Sequence, residues 1–208
     1  MKLADLSLEK SLWSLGYNLV AGIDEVGRGS WAGPVVAAAV VLPKNWPLPA
    51  KLADSKLLNS AEREKLDLII RSTASAFAIA EINHLVINRE GINKAAQRAM
   101  RLAVRNLGIA PDYHLVDGFY IKNFPLRDQM RVIKGDQKSA SIAAASIIAK
   151  VYRDKLMRKL SGYHPEYFWE QNMGYGTKRH QEAIRSFGFT PLHRSSFDLS
   201  YLLSDSLA

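Results

Sequence analysis

The 208-residue chain contains no cysteine, which excludes disulfide staples and thiolate metal sites. It also lacks any uninterrupted apolar run of the roughly 18 residues that a membrane-spanning helix needs. Asp5 and Glu9 break up the leucines near the N-terminus, so a signal-peptide pattern is missing too. These absences lead to the expectation of a cytoplasmic protein with no membrane partner. Internal repeats, low-complexity tracts and long linkers are likewise absent. Acids are the minority charge: 20 Asp and Glu against 28 Lys and Arg, for a net charge of +8. The imbalance is local. Residues 1–117 are nearly neutral at +2, whereas residues 118–194 hold 14 basic and 6 acidic residues. Such an excess is expected of a surface that meets a polyanion, although lysines also serve solubility alone.

What is present is a substantial apolar fraction, 48% hydrophobic with 23% charged, at a length that fits one large domain. Leucines spaced through residues 3–15 predict a short amphipathic helix ending at Gly16. Strands are predicted over Leu19–Val26 and Val35–Leu42; the second is almost all Val and Ala, so both its faces should be covered. A proline-rich connection, Pro43 to Pro49, precedes a helix capped by Asn59 or Ser60 and running through Ile70. A third strand is predicted over Phe77–Ile82, and a helix over Ile92–Leu107 that stops at Gly108. Short strands follow at Tyr113–Val116 and Arg131–Ile133, then a long helix from Ser139 to Leu160. Alternating strands and helices imply an α/β core with a helical C-terminal part. The short link between the first two strands implies antiparallel pairing and hence a mixed sheet.

Carboxylates mark the strand ends. Asp24 and Glu25 close an apolar run and are followed by Gly27-Arg28-Gly29. Asp117 ends the strand Tyr113–Val116, and Asp136 stands just before the long helix. In an α/β sheet such ends converge on one edge, where sites are usually built. Carboxylates gathered there repel unless divalent cations neutralise them, and oxygen-only ligands select Mg²⁺ or Mn²⁺ over zinc. Two such ions can activate a water and stabilise the leaving oxygen of a phosphodiester. Each residue alone has a plainer explanation: a strand exit, a turn before glycine, or a helix cap. Adjacent strand residues also point to opposite faces. Either the strand ends by Glu25, or Glu25 uses its backbone carbonyl or reaches the site from the side.

With Asp54-Ser55-Lys56, Val116-Asp117-Gly118, Lys134-Gly135-Asp136, Ser141 to Asp154 and Gly174-Tyr175-Gly176-Thr177 followed by His180, the chain resembles ribonuclease HII, the type 2 ribonuclease H family. The resemblance spans about residues 18–198 and implies a helical extension over 1–17 ahead of a ribonuclease-H-like domain over 18–208. It implies an endonuclease that cuts RNA paired with DNA and incises 5′ of a ribonucleotide embedded in duplex DNA. A monomer is expected. Asp24, Glu25, Asp117 and Asp136 match the family's acidic, metal-binding active site with two divalent ions. Gly27-Arg28-Gly29 matches the loop that reads the ribose 2′-hydroxyl, since glycines let backbone amides approach the sugar closely. Tyr175 matches the tyrosine that packs on the next sugar, and Lys56 and Ser139 are candidate phosphate holders. Ribonuclease HIII is similar to a longer chain with a further domain ahead of the motif, for which little room is expected here.

Other patterns are weaker. Gly27, Gly29 and Gly33 loosely resemble a dinucleotide fingerprint, but the third glycine is one residue late and a strand follows. His114 lies in an apolar strand and reads as a satisfied core residue; nothing assigns His180 or His193. Tyr163, Tyr167, Phe168 and Trp169 fit either stacking platforms or the core of the C-terminal helices. Two rival classes remain: a non-catalytic hybrid-binding protein of the same fold, and a related nuclease acting on DNA alone.

Overall fold

A computed structural model of the chain describes residues 4–49, 52 and 58–204. Asp54, Ser55 and Lys56 lie outside the described residues. Helix α1 (Ser7–Ser14) leads into strands β1 (Val20–Val26) and β2 (Val35–Val41). Helix α2 (Ser60–Thr73), strand β3 (Ala76–Ile82), and helices α3 (His84–Glu90) and α4 (Ile92–Arg105) follow. Strands β4 (Tyr113–Asp117) and β5 (Gln129–Val132) complete the sheet. The rest is helical: α5 (Ala140–Ser161), α6 (Trp169–Asn172), α7 (Lys178–Phe187) and α8 (Tyr201–Ser204).

The five strands lie in the order β3-β2-β1-β4-β5. The pairs β1–β2 and β2–β3 are antiparallel, and β1–β4 and β4–β5 are parallel. The sheet is therefore mixed, as the short first connection predicted. Every residue of β2 is buried. Its Val36, Ala38 and Val40 pack against α2 and α5, while Val35, Ala37 and Ala39 pack against α3 and α4. Small residues let both helical layers sit close to the sheet. The closest approach is at Gly22, where a Cβ would lie 2.1 Å from the Ser141 carbonyl carbon. That contact lays the start of α5 across β1, beside Asp24.

Boundaries moved where polar residues do structural work. Helix α1 starts at Ser7, and β5 starts at Gln129, two residues before the predicted strand. Gln129 is buried because its amide ties down the backbone of Ile121 and Phe124. An apolar pattern does not reveal such a strand residue. The α2 cap is as predicted, with Asn59 and Glu62 forming a reciprocal capping box. Helix α3 was not predicted; it is seven residues long, capped by Asn83 and closed at Gly91. Glu9 of α1 is fully buried and accepts hydrogen bonds from Ser139 Oγ, Ser141 N and Ser141 Oγ, which fastens α1 to the start of α5.

Candidate active site

The strand β1 runs through Val26, so it has not ended at Glu25. Asp24 pairs in register with Ala38 and Glu25 with Ala37, which places their side chains on opposite faces. Asp24 faces α5, where the Ser146 side chain hydrogen-bonds to it. Glu25 reaches the edge from the other face, toward Arg28, whose Nη1 lies 3.4 Å from Glu25 Oε1. Asp117 is the last residue of β4, parallel to β1, and its charge acts on both Asp24 and Glu25. Its Oδ1 accepts a hydrogen bond of 2.6 Å from the Gly135 amide. Asp136 follows on a single 3₁₀ turn, Gly135–Gln137, and is buried. Lys134 takes a left-handed conformation (φ 55°) to turn the chain from β5 into that 3₁₀ turn. Asp136 and Glu25 line one cleft of about 270 Å³ with Ser146 and Lys150.

Burial and mutual repulsion dominate the electrostatics. Asp24 holds its proton well above the usual carboxylate range, first because it is buried and then because Glu25 and Asp117 are close. Glu25 is pushed up to about 7, again mainly by burial, with Arg28 opposing and Asp117 adding to the shift. Glu25 Oε2 is buried with no hydrogen-bond partner. Among the described residues, no three His, Asp or Glu side chains already enclose a point where a metal ion would sit. The carboxylates stand beside one another instead. An all-oxygen donor set with an unpartnered buried oxygen and mutual repulsion nonetheless suits a hard divalent cation.

The loop after β1 is held from beneath by two buried arginines. Gly27 is left-handed (φ 89°), and a Cβ there would lie 2.2 Å from Arg153 Nε. Glycine is required on both counts. Arg153, fully buried on α5, donates to the carbonyls of Pro34 (3.0 Å), Ala32 (3.3 Å) and Met173 (2.9 Å). Arg194 donates to the carbonyls of Gly33 and Arg28, both at 3.0 Å. Arg153 thus joins the 27–34 segment to Met173, beside the backbone bond from Trp31 N to the Gly174 carbonyl (2.7 Å), while Arg194 anchors the same segment from the other side. Tyr175 thereby comes over Gly29, where a Cβ would be 3.9 Å from its Cε1. The Arg28 guanidinium bonds Asn93 Oδ1 at 2.9 Å and lies 5.0 Å from the Phe119 ring centre. Asp24, Glu25, Asp117, Gly27–Gly29 and Tyr175 are thus neighbours at one edge of the sheet.

Residues 21–200 match the family model described as Ribonuclease HII. The chain belongs to the ribonuclease HII family. Ribonuclease HII of Syntrophus aciditrophicus is 45% identical over 199 residues, covering 96% of this chain and 93% of its own. That of Pediococcus pentosaceus is 47% identical over 196 residues, 94% of this chain and 75% of its own. Among solved structures, ribonuclease H2 from Pyrococcus horikoshii OT3 superposes with a TM-score of 0.75 at 25% identity, over 90% of this chain and 98% of that one. This protein is accordingly a ribonuclease H enzyme.

Not every predicted residue of this ribonuclease joins the site. Ser139 is fully buried as the cap of α5; it accepts from Ile142 N and gives its proton to Glu9. Its hydroxyl has no face left for a phosphate. Lys56 lies outside the described residues. Lys150 lines the acidic cleft but is paired with Asp154 at 2.8 Å. Sequence reasoning missed Arg153, Arg194, Asn93 and Phe119 as supports of the loop. It also missed a histidine relay behind Tyr175. Thr190 N–H donates to His193 Nδ1 (2.9 Å), which leaves the His193 proton on Nε2, facing His180 Nε2 at 3.1 Å. His180 then donates from Nδ1 to the Tyr175 carbonyl at 2.9 Å. Both imidazoles are neutral in this arrangement, and burial holds both below the usual histidine range, His193 at about 4. Tyr167 and Trp169 pack around them as core, and His114, bonded to the Asp128 carbonyl, is the satisfied core residue expected.

Proposed function

We propose that this enzyme is an endonuclease that hydrolyses the RNA strand of RNA–DNA hybrids and nicks duplex DNA on the 5′ side of an embedded ribonucleotide. The observation that carries this reading is the adjacency of the mutually repelling carboxylates to a glycine-flanked loop lying under Tyr175. Backbone amides at Gly27–Gly29 can approach a sugar closely, and the 2′-hydroxyl distinguishes RNA from DNA. The Tyr175 ring supplies a face for the adjoining sugar. Asp24, Glu25, Asp117 and Asp136 would hold two divalent ions, Mg²⁺ or Mn²⁺. When bound, such ions supply an activated water and stabilisation of the leaving oxygen. Arg28, tethered to Asn93 and Glu25, keeps the loop in place over the strand exit.

A protein that only bound hybrids would gain nothing from carboxylates facing phosphates, which disfavours that rival. The test is a duplex carrying one ribonucleotide, incubated with protein and Mg²⁺ or Mn²⁺, beside the same duplex with deoxyribose at that position. A nick next to the ribonucleotide alone is expected, because a site built to bond a hydroxyl rejects the analogue lacking it. Binding without nicking would favour the hybrid-binding rival. Cutting of both duplexes would favour a nuclease acting on DNA.

A further inference from the structure

A second cleft, of about 670 Å³, opens beside Arg28 between the first half of α4 and the loop after β4. Lys94 and Arg101, two helical turns apart on α4, form one wall. Tyr120 and Lys122 form the other. The one carboxylate in the lining, Glu90, is already held by Arg89 at 2.6 Å and Arg98 at 3.3 Å. The cleft therefore carries an excess of positive charge: Arg28, Lys94, Arg101 and Lys122 stand against one carboxylate, Glu90, which also acts on Lys94. Helix α4 adds to this, since it starts at Gly91 without a side-chain cap or an acid in its first turn.

The wall opposite α4 is tied down by buried hydrogen bonds. Buried Gln97 of α4 donates to the Tyr120 carbonyl at 2.8 Å and accepts from Lys122 N at 2.7 Å. Gln129 binds the same loop from beneath, at Ile121 and Phe124. Two buried amides thus hold a short loop whose side chains, Tyr120 and Lys122, are exposed. Cations set on such a frame and continuous with Arg28 suit a regular array of negative charges.

We propose that this cleft is the track for one arm of the substrate duplex, gripping its phosphodiester backbone through Lys94, Arg101 and Lys122 beyond the scissile position. This rests on the substrate reading given above. Each phosphate contact that is lost lowers the slope of log affinity against log salt by about 1. Binding is measured by fluorescence anisotropy without metal, so it does not depend on cleavage. The triple variant Lys94→Gln/Arg101→Gln/Lys122→Gln is compared with a control triple, Lys10→Gln/Lys65→Gln/Arg105→Gln, outside the cleft. Circular dichroism confirms that both are folded. The cleft variant should lose a slope of about 2 to 3 and bind roughly a hundredfold more weakly near 0.1 M salt, with the control unchanged. Trimming the duplex arm on one side of the ribonucleotide should lower wild-type affinity to the level of the variant. Wild-type affinity and slope in the cleft triple would overturn the proposal and leave the cations to an acidic partner of another kind. An equal loss in the control would also overturn it, by showing a general charge effect. Failure of the wild type to nick would count against the substrate reading and leave this comparison standing.

Discussion

Asp24 is buried beside Glu25 and Asp117, so in the metal-free protein it resists ionisation. Each such acid alone has a plain structural explanation; they are legible because several of them fall at strand ends that meet at one edge of the sheet. His193 was not legible. Its partners are the Thr190 amide and hydroxyl and His180, and nothing in five histidines scattered along the sequence indicates that two of them meet. Arg153 and Arg194 were hidden for the same reason, since they bind backbone carbonyls remote in sequence. The relay carries a pH consequence. His193 titrates near 4 in the folded chain against 6.5 when free. A depressed value means that its contribution to stability is full above about 6.5 and is lost as pH falls towards 4. The raised carboxyls of Asp24 and Glu25 shift stability the opposite way, so His193 is read by difference: between pH 7 and pH 4.5 the unfolding free energy of the wild type should change about 2 to 3 kcal/mol less favourably than that of His193→Gln. An equal acid loss in the variant would mean that other groups carry it.

At the scale of elements, periodicity found all five strands and the long helices, because a two-sided or one-sided apolar pattern reports burial directly. It missed α3, which is too short to show a period, left α6, α7 and α8 unresolved within a helical C-terminal part, and placed the start of β5 late because Gln129 is buried for its hydrogen bonds. The relation between α5 and the loops was not legible either. A basic helical stretch reads as a solvated face, yet Arg153 on it is fully buried and spans three carbonyls. Lysine has no planar fork to reach all three. Arg153→Lys should therefore destabilise the fold by about 2 to 4 kcal/mol, since buried acceptors lose their donor. Because Tyr175 and Gly27 are set by this residue, KM for a ribonucleotide-containing duplex should rise more steeply than kcat falls. Unfolding curves and steady-state kinetics check both parts; unchanged KM in a folded variant would separate Arg153 from substrate placement.

For the whole molecule, the mixed sheet and the edge that carries the candidate site follow from the order of the elements, and the charge distribution does not. Counting along the chain put the basic excess in residues 118–194, yet the second cleft joins Lys94 and Arg101, from the nearly neutral half, to Lys122. Lys150, by contrast, is already paired with Asp154. Tertiary folding redistributes charge that a linear count cannot follow. In the proposed function, the strand is cut at the carboxylate edge beside Gly27–Gly29. Single-turnover nicking of a duplex with one ribonucleotide, with Mg²⁺ or Mn²⁺ in excess, tests it most directly when wild type is compared with Asp24→Asn. The substitution keeps side-chain size and relieves carboxylate repulsion, so the variant should fold and bind the duplex as well as the wild type does. Its nicking rate should fall by about a thousandfold or more, roughly 4 kcal/mol of barrier. A folded Asp24→Asn protein that nicks within about tenfold of wild type, under 1.4 kcal/mol of barrier, would place the chemistry elsewhere.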